Sequence, residues 1–150
     1  HNPEFLREAV AESDFLHASR AIIGVPDGDR RPISLISLYD EMRVPVYVCS
    51  ARLSALAKLV TNAYLATLVS FWNEQQGLCV AMGVNSHQLA RLVALDPRVS
   101  RYGAYQHGAP YGGKCLPKDV EHLQQLKGTS HLYPSILDAV QKVNRAMGGQ

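Results

Sequence analysis

A thiol, two amines and a carboxylate lie close together in Tyr111-Gly112-Gly113-Lys114-Cys115-Leu116-Pro117-Lys118-Asp119. Two glycines precede the cysteine and a helix is expected to follow it. The sulfur is therefore placed where backbone can approach closely and helical N–H groups point outward. A free thiol has a pKa of roughly 8.5 and is only slightly ionised at neutral pH; a helix start and neighbouring lysines favour the reactive anion. Asp119 follows by one helical turn, within range of orienting a water or handling a proton. The other reading of Cys115 is a small buried apolar residue.

Two further pairs have spacing that suits chemistry. Lys58 and Asn62 share a face at i, i+4 inside an otherwise apolar stretch, where an amine needs a partner, a purpose or a route by which its stem reaches solvent. Near the start, Asn2-Pro3-Glu4-Phe5-Leu6-Arg7-Glu8 offers two carboxylates at i, i+4, one face of a helix. A solvated surface is the plain alternative for that pair.

Positioning these groups requires two kinds of architecture. Ala21-Ile22-Ile23-Gly24-Val25 and Pro45-Val46-Tyr47-Val48-Cys49 read as strands, with a helix from about Pro32 to Met42 between them whose apolar side is Ile33, Leu35 and Ile36. Strand, helix, strand at this spacing predicts a parallel pair with a right-handed crossover, part of a larger sheet. From Arg52 the pattern turns helical and meets no clear stop before Gly83; some thirty residues make roughly 45 Å of helix, apolar on nearly every face. Asn85 starts a shorter helix to about Leu95, closed by Asp96-Pro97. Arg98 to Lys114, rich in Gly, Tyr and Pro, reads as a long loop whose Tyr102, Tyr105 and Tyr111 either stack on a ligand or pack the loop. Two helices follow, from Pro117 to Gly128 and from Pro134 to Met147. The fold class is mainly α with a small α/β part, divided at residues 1–50 and 51–150.

Composition narrows the partners. The chain has 150 residues, 47% of them hydrophobic, enough for one core or for one domain and a piece of another. A net charge of +2 with scattered Lys and Arg gives no nucleic-acid footprint. Cys49, Cys79 and Cys115 are odd in number and lack CxxC spacing, which points away from a disulfide framework or zinc site and toward a reducing compartment. The histidines show no metal-ligand motif; His17, His87, His122 and His131 read as surface or helix-face residues. Lys58 and Asn62 interrupt the most apolar segment, so no membrane span is expected. Because the chain opens on His1 and not on methionine, it reads as a piece of a longer protein or as a chain with a processed terminus.

Taken together, Asn2 to Glu8, Arg20-Ala21-Ile22-Ile23-Gly24, Lys58 to Asn62, Ser70-Phe71-Trp72-Asn73-Glu74, Tyr111 to Asp119 and Val143-Asn144 resemble, in order and spacing, the UDP-glucose/GDP-mannose dehydrogenase family. The resemblance implies oxidation of the C6 alcohol of a nucleotide sugar to a carboxylate by two hydride transfers to NAD, with a thioester on Cys115. It implies that Lys58 and Asn62 lie near the reacting oxygen, that Asp119 activates or orients water, and that Glu4 and Glu8 lie near the sugar and the attacking water. Phe5, Leu6, Tyr111, Gly112 and Gly113 correspond to substrate-binding positions, and Lys118 to a cofactor-binding one. It also implies the end of a Rossmann-type NAD domain joined to a central helical domain of the 6-phosphogluconate dehydrogenase C-terminal-like kind, which makes the homodimer, in a cytoplasmic enzyme without a metal.

The chain departs from the family at His107-Gly108-Ala109-Pro110, where a Pro-Gly pair is usual, and at Ala55 and Ala9, where a glutamate and a glycine are usual; these bear on substrate fit. It also lacks a Gly-rich phosphate loop, so the isolated chain is expected neither to bind NAD tightly nor to turn over. The competing class is a non-catalytic helical oligomerisation or regulatory module. UDP-glucose and GDP-mannose are not distinguished.

Overall fold

The computed structural model describes residues 11–27, 31–127 and 135–149. The chain divides into two compact units, His1–Lys58 and Leu59–Gln150. In the first, α1 (Ala11–Leu16) precedes β1 (Ala21–Val25), α2 (Ile33–Glu41) and β2 (Val46–Ser50). The strands pair in parallel, in register from Ala21 opposite Val46 to Val25 opposite Ser50, as the strand-helix-strand spacing predicts.

Ala21 and Ile23 alternate inward on β1 and pack with Ala18, Tyr39 and Val44. The Tyr39 ring meets the edge of Phe15 at a centroid distance of 6.1 Å. The inner side of α2 is therefore Ile36 and Tyr39, one turn apart. Ile33 and Leu35, expected on that side, are exposed; Leu35 lies at the edge of the stripe, one turn before Tyr39, and Ile33 lies at the helix start. Gly24 lies beside the start of the next helix: a Cβ there would fall 2.8 Å from Ser54 Cβ and 2.9 Å from Ala51 Cα.

That helix, α3 (Ala51–Met82), has 32 residues. It runs on because residues without β-branching, Ala and Leu foremost, dominate it and no proline intervenes. It stops at Gly83, whose φ of +68° is the left-handed conformation glycine adopts without strain. By length and composition α3 is apolar enough to cross a membrane. Its buried face nevertheless carries Asn62, Ser70 and Asn73, each hydrogen-bonded to another part of the second unit.

Around this face are α4 (Ser86–Val93), α5 (Arg101–Gln106), α6 (Leu116–Lys127) and α7 (Ile136–Ala146). Asn85 caps α4, its side chain accepting from the Gln88 N–H at 2.9 Å. Ala63, Ala66 and Val69 of α3 form the core with Tyr111, Val120, Leu137 and Val140. A smaller cluster joins Trp72, Ala90 and Ala104.

The segment from Arg98 to Lys114 is not one long loop, since α5 lies within it. Ser100 caps that helix by accepting from the Tyr102 N–H, and Gly103 lets it pack directly on α3. A Cβ at Gly103 would sit 2.5 Å from the Leu68 carbonyl oxygen. A glycine that reads as a loop signal is here a contact point between helices.

These packing facts predict opposite outcomes for two helical glycines. Gly103→Ala forces backbone apart and is expected to destabilise by about 2 kcal/mol. Gly77→Ala, with nothing within 4 Å of its added methyl, is expected to stabilise by about 0.5–1 kcal/mol through helix propensity. Urea unfolding of the two variants measures both.

Candidate active site

Cys115 lies at the junction between the glycine pair and α6 and is half-buried; it is a free thiol, as are the half-buried Cys49 and the buried Cys79. The Asp119 N–H donates to the Cys115 carbonyl at 3.0 Å, so the first turn of α6 closes on the cysteine and puts the carboxylate one turn beyond the sulfur. Gly113 has a φ of +73°. This left-handed turn lets the chain reverse from the buried Tyr111 into the helix start.

Asp119 is only 1% exposed. Asn62 Nδ2 donates to its Oδ2 at 2.6 Å, and Lys118 Nζ lies 3.6 Å from its Oδ1. A buried carboxylate needs such partners, because hydrogen bonding and a nearby cation replace the water it has lost. Asn62 is itself buried and uses one of its two amide hydrogens here, leaving the other for a second acceptor. Lys58, half-buried, stands one turn earlier on α3.

Tyr111 anchors the other end of the cysteine loop. Its ring is 4% exposed and packs in the core beside Ala63, Val120 and Val140. Burial pushes its phenol pKa up, and the positive charge of Arg145 acts in the opposite direction. Of the three tyrosines in the segment, Tyr111 packs inward while Tyr102 and Tyr105 are exposed. Gly112 is exposed beside it, with room around its Cα.

A cavity of about 560 Å³ opens along this loop and the facing sides of α6 and α7. Its walls include Tyr111, Gly113, Lys114, Lys118 and Arg145, with Glu121 as the one acidic member. Three cations against one carboxylate make it a place for an anionic group. Among the described residues no cluster of His, Cys, Asp and Glu has the makings of a metal site.

The structure thus brings Asn62, Asp119, Lys118 and the Cys115 turn together, and places Tyr111, Gly113 and Lys118 along one cavity. Glu4, Phe5, Leu6 and Glu8 lie outside the described residues. Sequence reasoning missed the surroundings of the loop. His107, given no role, is 6% exposed; its Nδ1–H donates to the Ala104 carbonyl at 2.8 Å and its Nε2 faces Ser86 Oγ at 3.1 Å. Asn73 likewise drew no chemical argument, although it follows Asn62 by three helical turns and so lies on the same face.

A half-buried thiol at a helix start, with a buried amide-carboxylate pair one turn away, sits within a mainly helical domain. Residues 52–146 match the central domain of the UDP-glucose/GDP-mannose dehydrogenase family, and the chain belongs to that family. It is 38% identical to a UDP-glucose 6-dehydrogenase of Rickettsia conorii, over 96% of this chain and 33% of that protein. With UDP-glucose 6-dehydrogenase YwqF of Bacillus subtilis the identity is 35%, over 95% of this chain and 32% of the relative. A solved UDP-glucose dehydrogenase from Pyrobaculum islandicum superposes with a TM-score of 0.86 at 36% identity, covering 97% of this chain and 33% of that one. The chain therefore spans about a third of the length of the curated relatives it matches.

Removing the Asn62 amide leaves the Asp119 carboxylate buried without its closest donor. Asn62→Ala is expected to cost about 2–3 kcal/mol at neutral pH, and less when made in an Asp119→Ala background, because the buried charge is then gone. Denaturant unfolding of the four proteins gives the coupling.

Proposed function

We propose that this chain is part of an NAD-dependent nucleotide-sugar dehydrogenase that oxidises a C6 alcohol to a carboxylate through a thioester on Cys115. Residues 1–50 are the end of the NAD-binding domain, and residues 51–150 are the central catalytic and dimerisation domain. The observation that carries this reading is the buried Asn62–Asp119 pair one turn from the cysteine. A non-catalytic module would have no need to keep a carboxylate almost wholly buried there. The names of the relatives favour UDP-glucose over GDP-mannose. Free cysteines fit a reducing, cytoplasmic setting.

The chemistry follows from the side chains. After the first oxidation yields an aldehyde, Cys115 Sγ adds to its carbon and gives a thiohemiacetal, with negative charge developing on the former carbonyl oxygen. Lys58 and the second hydrogen of Asn62 are the donors assigned to that oxygen; such a donor is worth roughly 3 kcal/mol of barrier. Loss of hydride from the carbon gives the thioester. Asp119, fixed by Asn62, accepts a proton from water as the water attacks, and the carboxylate leaves with Cys115 restored as a thiol. Glu4 and Glu8 are assigned to the sugar and the attacking water, and Phe5, Leu6, Tyr111, Gly112 and Gly113 to substrate binding.

Bound NAD would accept the hydride in each oxidation. The cationic cavity suits a phosphate-bearing group, and Lys118 is this chain's residue for holding it.

In the complete enzyme, Cys115→Ser is expected to lose the second oxidation almost entirely, since a serine hydroxyl is far less ionised at neutral pH than a thiol. Asp119→Asn is expected to accumulate the thioester, visible by mass spectrometry after mixing with nucleotide sugar and NAD. Full turnover to the carboxylate by Cys115→Ser would refute the nucleophile.

Assembly follows from the outer side of α3. Val60, Tyr64, Phe71 and Leu78 are each about half exposed, and at 100° per residue they lie in one stripe along the helix. A homodimer would bury that stripe against a second copy, without nucleic acid or membrane as partner. Light scattering is expected to give a dimer, and Phe71→Glu a folded monomer. A monomeric parent protein would exclude this interface.

A further inference from the structure

The segment between α5 and the cysteine loop is fastened by one side chain that the chemistry above does not use. Asn73, on α3, is 4% exposed. Its Oδ1 accepts the Gly108 N–H at 2.8 Å and its Nδ2 donates to the Ala109 carbonyl at 2.9 Å. One amide thus satisfies a donor and an acceptor on consecutive residues, as a neighbouring strand would.

The clamp falls where the chain bends. Gly108 has a φ of +102°, a conformation that costs any residue with a Cβ. Immediately before it, the His107 ring is held by the Ala104 carbonyl and Ser86, and lies 5.9 Å from the Trp72 ring and 4.5 Å from that of His87. Beyond the clamp come Pro110, the buried Tyr111, Gly112, Gly113 and Cys115. With two open, exposed glycines between Tyr111 and Cys115, the loop has few fastenings of its own. Its path is decided at its ends: α6 on one side, Tyr111 and Asn73 on the other.

We propose that Asn73 is a positioning residue for the nucleophile: it fixes the approach of the 108–113 segment to Cys115 and thereby sets the placement of the thiol and of the glycine backbone that faces the sugar. The proposal rests on Cys115 being the nucleophile. Asn73 touches no reacting atom in this scheme. It acts through the backbone of Gly108 and Ala109.

Asn73→Ala removes both bonds, whereas Asn73→Asp keeps the acceptor and makes the donor depend on pH. When neutral, the new carboxyl can donate to the Ala109 carbonyl and still accept from Gly108; when ionised, it faces that carbonyl oxygen with an oxygen of its own. Burial favours the neutral form, so the change is expected between about pH 5 and about pH 8. His107 precedes the clamp and the His87 ring lies against it, so each pH is read against the parent protein.

The test uses the whole chain and two readings. Hydrogen exchange is expected to lose about tenfold protection at the Gly108 amide, which Asn73 accepts, in Asn73→Ala, with the core amides of Val120 and Val140 unchanged. Asn73→Asp is expected to match the parent at low pH and Asn73→Ala at high pH. Alkylation of half-buried Cys115 by iodoacetamide is expected to rise about fivefold in Asn73→Ala, while Cys49 in the same molecule reacts as before.

A purely structural asparagine would lower protection throughout the second unit, or lower the melting temperature alone. Either result, with the relative Cys115 rate unchanged, overturns the proposal. Failure of the nucleophile assignment reads differently: Cys115→Ser would then turn over fully in the complete enzyme, whatever the loop amides do.

Discussion

A carboxylate removed from water is tolerable only when protein groups take the place of its hydration, and Asp119 is in that position. The bond from Asn62 meets this requirement, and in doing so it sets how α3 and α6 lie against each other. Two more buried polar groups on the same helix act alike. Ser70 donates to the Val140 carbonyl on α7 at 3.1 Å, and Asn73 holds the segment before Tyr111. Each of these bonds contributes only about 1 kcal/mol net, more for one to a charge. What they supply is register, because a slip of either partner would leave a buried donor or acceptor unmatched.

Apolar packing alone would not choose that register. Ala63, Ala66 and Val69 present a small, smooth surface to α6 and α7, and such surfaces accept several alignments at similar energy. The polar residues interleaved with them remove the alternatives. Alanine at the contact brings the backbones close, and Gly103 carries this furthest, with α5 resting on the backbone of α3 at Leu68. Close packing and buried hydrogen bonds cooperate here. Short polar side chains such as Asn and Ser reach a neighbouring backbone only when the helices are close.

The same helix presents a different surface outward. Its exposed stripe of Val60, Tyr64, Phe71 and Leu78 explains why the sequence of α3 lacks strong amphipathic contrast. One face is built for the rest of its own unit and the opposite face for a second copy in the proposed assembly. A helix read as apolar all round has an inner side that carries buried polar groups and an outer side that is apolar and exposed. Two polar members of the inner side, Asn62 and Asn73, bond to residues that flank the cysteine loop, and Ser70 bonds to α7.

Much of this was determined by the sequence itself, because the signals are local. The strand pair, the run of α3 to Gly83, the Asn85 cap and the helix after Cys115 depend on neighbours a few residues apart, and the order of motifs identified the family. The one-turn relation of Cys115 to Asp119 likewise follows from helical spacing. Tertiary structure decided which side chains meet across long separations. Nothing local links Asn62 to Asp119, Asn73 to Gly108, or His107 to Ser86 and Trp72. The outward turn of Ile33 and Leu35 is also tertiary, because hydrophobicity does not say which stripe of a short helix meets the core. The α5 helix stayed hidden for a related reason: Gly103 has poor helix propensity, and its presence is favourable only where another backbone lies against it.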